Sequence, residues 1–186
     1  MDEISIGYNN IFISNTLNTK FFILVITNSQ SWKVHITHLT PKLCNTCYVL
    51  RCIRPFMSQD TLKSVYYSYF HSLISYGIIF WGNSSNSLHV IRLQKRAVRI
   101  ITWSRPRDSC RGLFKILRIL HLQSQYIHSS SLFIVNNKNL FHVNSEMHGF
   151  NTRQNFNLHQ PQGSLSLYQK GASHSGIKVL IVSPAT

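Results

Sequence analysis

The apolar positions change period along the chain. Residues 4–13, ISIGYNNIFI, alternate loosely on either side of Asn9-Asn10 and predict a β-hairpin. Residues 20–26, KFFILVI, are a continuous apolar run rich in β-formers, the pattern of a buried strand. From Thr40 the spacing turns helical. Thr40 suits an N-cap and Pro41 the first helical position, with Leu43, Cys47, Leu50 and Ile53 recurring at helical intervals until Pro55. A second helix starts at Ser58 or Asp60 and aligns Leu62, Val65, Tyr66, Tyr69, Phe70 and Leu73. GIIFWGNSSNS then interrupts the pattern.

A third helix is predicted over 87–102. At about 100° per residue, Arg92, Lys95, Arg96 and Arg99 share one arc, opposite Val90, Leu93, Ala97, Ile100 and Ile101. Pro106 breaks the chain, and Asp108 suits the N-cap of a fourth helix. That helix sets Arg111, Lys115 and Arg118 on one face and Leu113, Ile116, Leu117 and Leu120 on the other. Beyond HLQSQYIHSSSLFIVNN the pattern weakens, and from about residue 143 the chain is rich in Asn, Gln, Ser and His. The expected fold is therefore mainly α. A small helical bundle (33–142) follows a short β-hairpin and strand segment (1–32) and precedes an irregular, partly disordered tail (143–186).

Charge changes this picture. The chain has 19 Lys and Arg against five acids, a net charge of +14, and nine of the bases lie between Arg92 and Arg118 with Asp108 as their sole acid. A solvated helix face usually mixes Glu with Lys at i,i+4, whereas like charges one turn apart destabilise the helix. A stripe of one sign calls for an external anion. Arg92, Lys95, Arg96, Arg99, Arg105, Arg107, Arg111, Lys115 and Arg118 are thus candidate contacts to a nucleic-acid backbone, where counterion release supplies affinity. An anionic membrane surface is the second reading. Trp103, just past the third helix, suits base stacking or interfacial anchoring.

The acids are Asp2, Glu3, Asp60, Asp108 and Glu146. So scattered a set argues against two-metal chemistry, which gathers several carboxylates, and against a glycosidase pair. His35, His38, Cys44 and Cys47 form H-x2-H-x5-C-x2-C, which offers four zinc-type ligands. Pro41 in the link leaves little room for a metal loop, and Cys47 falls on the apolar face, so a buried thiol is the preferred reading. The histidines have no evident carboxylate to orient them as bases. The acidic, polar start is unlike a secretory signal, and no apolar run is long enough to span a bilayer. An intracellular chain, cytoplasmic or nuclear, is expected.

Several segments resemble one family. They are NTKFFILVITNSQSWKVHIT, KLCNTCYVLRCIRPF, YYSYFHSLISYGIIFWGNSS, RLQKRAVRIITWSRPRDSCRGLFKILRILHLQSQYI, VNNKNLF, NTRQNFNLHQP and LYQKGASHSGIK, which together cover roughly 4–184. The set is similar to the reverse transcriptases of non-LTR retrotransposons, closest to LINE-type, jockey-like elements. The resemblance implies that 1–32 corresponds to the end of the palm, and 33–142 to a thumb that packs along the template–primer duplex. It implies a partner, the backbone of RNA or an RNA–DNA duplex, and a parent activity, RNA-directed DNA polymerase. The intact parent would use a divalent metal such as Mg; no cofactor is expected for this chain. The family's Tyr/Phe-Ala-Asp-Asp signature is absent, Ile23 stands where the family has Gly, Thr27 where it usually has Asp, and Gln30 where Leu is common. The expectation is a truncated, non-catalytic nucleic-acid-binding fragment. The alternative is a poorly folded remnant.

Overall fold

The computed structural model describes residues 6–8, 11–13, 16–29, 31–149, 153, 155–169 and 171–182. The chain is mainly helical, with short antiparallel hairpins at its N-terminal end. Strands β1 (Ile6–Tyr8) and β2 (Ile11–Ile13) pair with Tyr8 opposite Ile11, as the alternation around Asn9-Asn10 predicts; Asn9, Asn10 and Gln30 lie outside the described residues.

The run KFFILVI is not one buried strand. It folds back on itself as β3 (Asn18–Phe21) and β4 (Leu24–Thr27), with Phe21 opposite Leu24. Only two residues connect the strands, and the first, Phe22, is left-handed at φ +51°. The physical reason is backbone pairing. A lone strand has no ladder, whereas doubling back gives the polar stretch Asn18–Lys20 a partner. Leu24 is buried, but Phe21 and Phe22 are exposed.

Helix α1 (Lys33–Ile53) begins well before Thr40, and Pro41 lies inside it. Proline removes the N–H that would meet the Thr37 carbonyl. The helix continues because its buried stripe runs through the proline: Ile36 and Leu39 precede it, and Leu43, Cys47 and Leu50 follow. Thr40 is no cap; its hydroxyl donates to the Ile36 carbonyl at 2.7 Å.

A second helical rod comprises α2 (Gln59–Val65), a π-helical stretch (Tyr66–His71) and α3 (Ser72–Ser75). Ser58 caps it, its Oγ accepting the Thr61 N–H at 3.3 Å. The buried residues Leu62, Tyr66, Phe70 and Ile74 recur every four residues. An α-helix turns every ~3.6 residues and would rotate that row away from the core, whereas the wider π turn keeps it in line. Tyr66 and Phe70 stack at 5.2 Å, while Tyr69, expected on the apolar face, is exposed.

Gly77 reverses the chain at φ +61° before α4 (Ile78–Trp81). A Cβ there would sit 2.8 Å from Leu24 Cδ1 in addition to occupying the left-handed region. Gly77→Ala is expected to destabilise the fold by about 1–2 kcal/mol, read as a lower urea midpoint with unchanged slope. A midpoint at or above wild type would contradict this placement.

Helices α5 (Ser87–Ile101), α6 (Cys110–Leu117) and α7 (Leu122–Asn136) complete the bundle. The core joins α1, the π stretch, α4, α5, α6 and α7 around Trp81, Tyr66 and Phe70, which have no solvent exposure. A 3-10 turn (Lys138–Leu140) leads into the tail. There the described residues include α8 (Asn144–Met147), an isolated bridge between Val143 and Leu158, and α9 (Ser166–Gln169). Helix α10 (Ala172–Val182) packs along α7. Gly176 permits that approach, since a Cβ there would lie 2.9 Å from Ile134 Cγ1. Among the described residues no helix is long and apolar enough to cross a membrane.

Candidate nucleic-acid interface

Helix α5 carries the centre of the basic stretch. Its buried positions are Val90, Ile91, Gln94, Ala97, Val98, Ile100 and Ile101, with Leu93 half-buried. Arg92 and Arg96 point to solvent, and Lys95 and Arg99 are half-buried at the edge of the stripe. The wheel reading therefore holds for the charged arc. Gln94 falls opposite that arc and is fully buried inside the apolar side.

The chain then turns sharply around Asp108. The Arg105 N–H donates to Asp108 Oδ2 at 2.7 Å, and the Asp108 N–H donates back to the Arg105 carbonyl at 3.1 Å. Arg99 Nε donates to the Asp108 carbonyl at 3.0 Å. Asp108 thus shapes the turn and does not cap α6; Ser109 occupies the N-cap position. This tight turn leaves Arg105 and Arg107 exposed.

Helix α6 buries Cys110, Phe114 and Leu117, while Arg111 and Lys115 face solvent. Ile116 and Leu120, expected on the apolar side, are 70% and 48% exposed. The helix is only eight residues long and offers one turn-to-turn stripe to the core, which Phe114 and Leu117 fill. Arg118 lies just outside the helix, and its carbonyl accepts the Tyr67 hydroxyl at 3.3 Å.

Both basic helices end alike. Ser104 N–H reaches the Arg99 carbonyl and Trp103 N–H the Ile100 carbonyl, at 3.1 and 3.4 Å. Ile119 N–H reaches Phe114 and Arg118 N–H reaches Lys115, at 3.0 and 3.1 Å. These paired closing bonds place the intervening residue in the left-handed region, where glycine is usual. Here it is Trp103 at φ +58° and Arg118 at φ +54°.

Tertiary packing adds cations that the stripe alone did not reveal. Helix α1 is the main neighbour of α5, and the Cys47 thiol donates to the Leu93 carbonyl at 3.7 Å. Burial pushes that thiol up to about 11, with Arg96 and Arg51 near enough to oppose the shift. Arg51 of α1 and Arg96 of α5 thus both lie near the Cys47 thiol. One turn on, the Arg54 guanidinium lies 3.7 Å from the centre of the Trp103 ring. Arg51 and Arg54 were visible in VLRCIRPF, three apart, but only the α1–α5 pairing brings them to the stripe. On the α6 side, burial raises the Cys110 thiol, with Arg99 and Lys95 opposing, so those two cations flank the α5–α6 seam.

Among the described residues none of the nine predicted basic side chains forms an ion pair; the salt bridge present there joins His142 and Glu146, at 3.1 Å. The structure thus gathers Arg92, Lys95, Arg96, Arg99, Arg105, Arg107, Arg111 and Lys115, with Arg51 and Arg54, along adjoining surfaces of α5, the 102–109 turn, α6 and the end of α1. Arg118 sits apart at the far end of α6, against Tyr67.

The zinc-type set is not brought together. His35, His38, Cys44 and Cys47 all lie on α1, and twelve residues of helix separate the first from the last by about 18 Å. Among the described residues no three His, Cys, Asp or Glu side chains gather at one point. No family model, curated protein or solved structure matches the chain.

Proposed function

We propose that the chain is a thumb-like fragment of a non-LTR retrotransposon reverse transcriptase that grips the backbone of RNA or an RNA–DNA duplex without catalysing polymerisation. The segments quoted above support the family. The observation that carries the binding role is the run of exposed and half-buried cations over α5, the Asp108 turn and α6, none of them in an ion pair among the described residues, widened by Arg51 and Arg54. Phosphates at regular spacing would supply the anions that such a surface lacks. The polymerase carboxylates of the parent have no counterpart in the sequence, so the residues here bind and position.

The test is anisotropy with a labelled RNA–DNA duplex across a salt series. The variant changes Arg92, Arg96, Arg105 and Arg107 to Gln. All four are exposed, and Arg99 is spared because it braces the Asp108 turn. The slope of log K against log salt is expected to flatten by about 2–4 units, with an unchanged melting temperature. An unchanged slope would overturn the proposal. Excess anionic phospholipid vesicles are expected not to displace the duplex; displacement would favour a lipid surface instead.

A further inference from the structure

Trp103 holds an unusual position. It is the left-handed residue that closes α5, at φ +58°, where a bulky side chain is disfavoured and glycine would be relaxed. It is also 60% exposed, in contrast to Trp81, which is fully buried, and Trp32, which is half-buried. One ring face is covered by the Arg54 guanidinium at 3.7 Å, and among the described residues no aromatic ring pairs with the indole. Arg54 Nε is itself buried without a hydrogen-bond partner. An exposed indole in a disfavoured backbone conformation, backed by a cation with an unmet donor, stands between Arg99 and the exposed Arg105 and Arg107.

These features together describe a site for a flat, electron-rich ring joined to an anion. The free face of Trp103 offers stacking area, while the guanidinium on the opposite face fixes the ring and brings positive charge beside it. Arg54 lies against the ring, and Arg99 and Arg105 stand within four residues of Trp103 along the chain; all three carry donors that a phosphate accepts. A paired base inside a duplex has both faces occupied by its neighbours, whereas an unpaired base has a face free to take this place. We infer that Trp103 is a stacking platform for an unpaired nucleotide next to the gripped duplex, with Arg54 as its backing and a phosphate contact. The inference rests on the nucleic-acid reading and specifies the strand feature recognised: a single-stranded extension.

The experiment compares a blunt RNA–DNA duplex with the same duplex carrying an oligo(dT) overhang, read by anisotropy and by tryptophan emission. The full chain is expected to bind the overhang duplex about tenfold more tightly and to lose emission as Trp103 is covered. Trp103→Gly is expected to melt at or above the wild-type temperature, because glycine accepts the left-handed conformation. It should bind the blunt duplex with the same salt slope, yet lose both the overhang gain and the quenching. Trp103→Phe, which keeps a ring, should retain part of the gain. If Trp103→Gly keeps the full overhang gain, the platform is overturned while backbone binding stands. If the wild-type chain binds neither duplex, both this inference and the function beneath it fail.

Discussion

Replacing Gln94 with leucine is expected to destabilise the fold by about 3–5 kcal/mol, although the substitution makes α5 look better patterned. Gln94 has no solvent exposure. Its amide nitrogen uses both hydrogens, donating to the Tyr66 hydroxyl at 2.9 Å and the Leu120 carbonyl at 3.0 Å. Its oxygen accepts the Leu122 N–H at 2.9 Å. One side chain thereby joins α5 to the π-helical stretch and to the link between α6 and α7. Leucine is close in volume, so no large cavity opens. What it leaves is the Leu122 N–H and the Tyr66 hydroxyl buried without their partner, and the part-buried Leu120 carbonyl without its donor. Each such group costs about 1–3 kcal/mol when water cannot reach it. A domain of this size has a total stability of only about 5–15 kcal/mol, so the variant would stand near its unfolding threshold. Tyr66→Phe removes only one end of the network and should cost about 1 kcal/mol. Urea unfolding of both variants checks this ordering. A Gln94→Leu loss below that of Tyr66→Phe would show that the network does not hold these elements together.

The same residue shows where sequence reading succeeds and where it stops. In α5 the apolar stripe repeats over four turns, and the charged arc follows from periodicity alone, so the helix and its exposed cations were legible. Gln94 was not, because a buried amide is recognisable only by partners 26 and 28 residues away in sequence. Pro41 misled in a different way. Local punctuation placed a helix start there, but the buried Ile36 and Leu39 outweigh one missing hydrogen bond. KFFILVI looked like one strand because an apolar run carries no signal for a turn made by Phe22. The candidate interface was likewise half legible: its linear cations were in view, whereas Arg51 and Arg54 join it through packing between α1 and α5. Asp108 was read as a helix cap, but its carboxylate serves the turn before α6, and Ser109 takes the N-cap position.

Acidification from pH 7.5 to 4.5 is expected to remove about 2–3 kcal/mol of stability through His35. Its ring is buried beneath the β3–β4 hairpin, with the rings of Trp32 and Trp81 at 6.0 and 5.7 Å. Nδ1 accepts the Val25 N–H at 3.4 Å, a bond that leaves no room for a proton on that nitrogen, and Nε2 is buried with no partner. Burial, reinforced by His38 and Lys42 on the same helix, pushes the imidazole from 6.5 down to about 4. Above pH 6.5 the ring is neutral whether the chain is folded or not, and His35 carries no penalty. Between 6.5 and about 4 the unfolded chain binds the proton and the folded chain does not, so stability falls as pH falls. Below about 4 both states are protonated and this contribution levels off. The full shift corresponds to more than 3 kcal/mol; the smaller figure allows for solvent screening of the charged ring. His71 and His121 are shifted down by burial as well and act in the same direction. His35→Gln separates the contributions. The amide can still accept from Val25 but does not titrate, so the variant should lose about 2 kcal/mol less than wild type over this pH range. Parallel pH profiles for the two proteins would place the acid sensitivity elsewhere and would mean that the hairpin does not seal His35 from water.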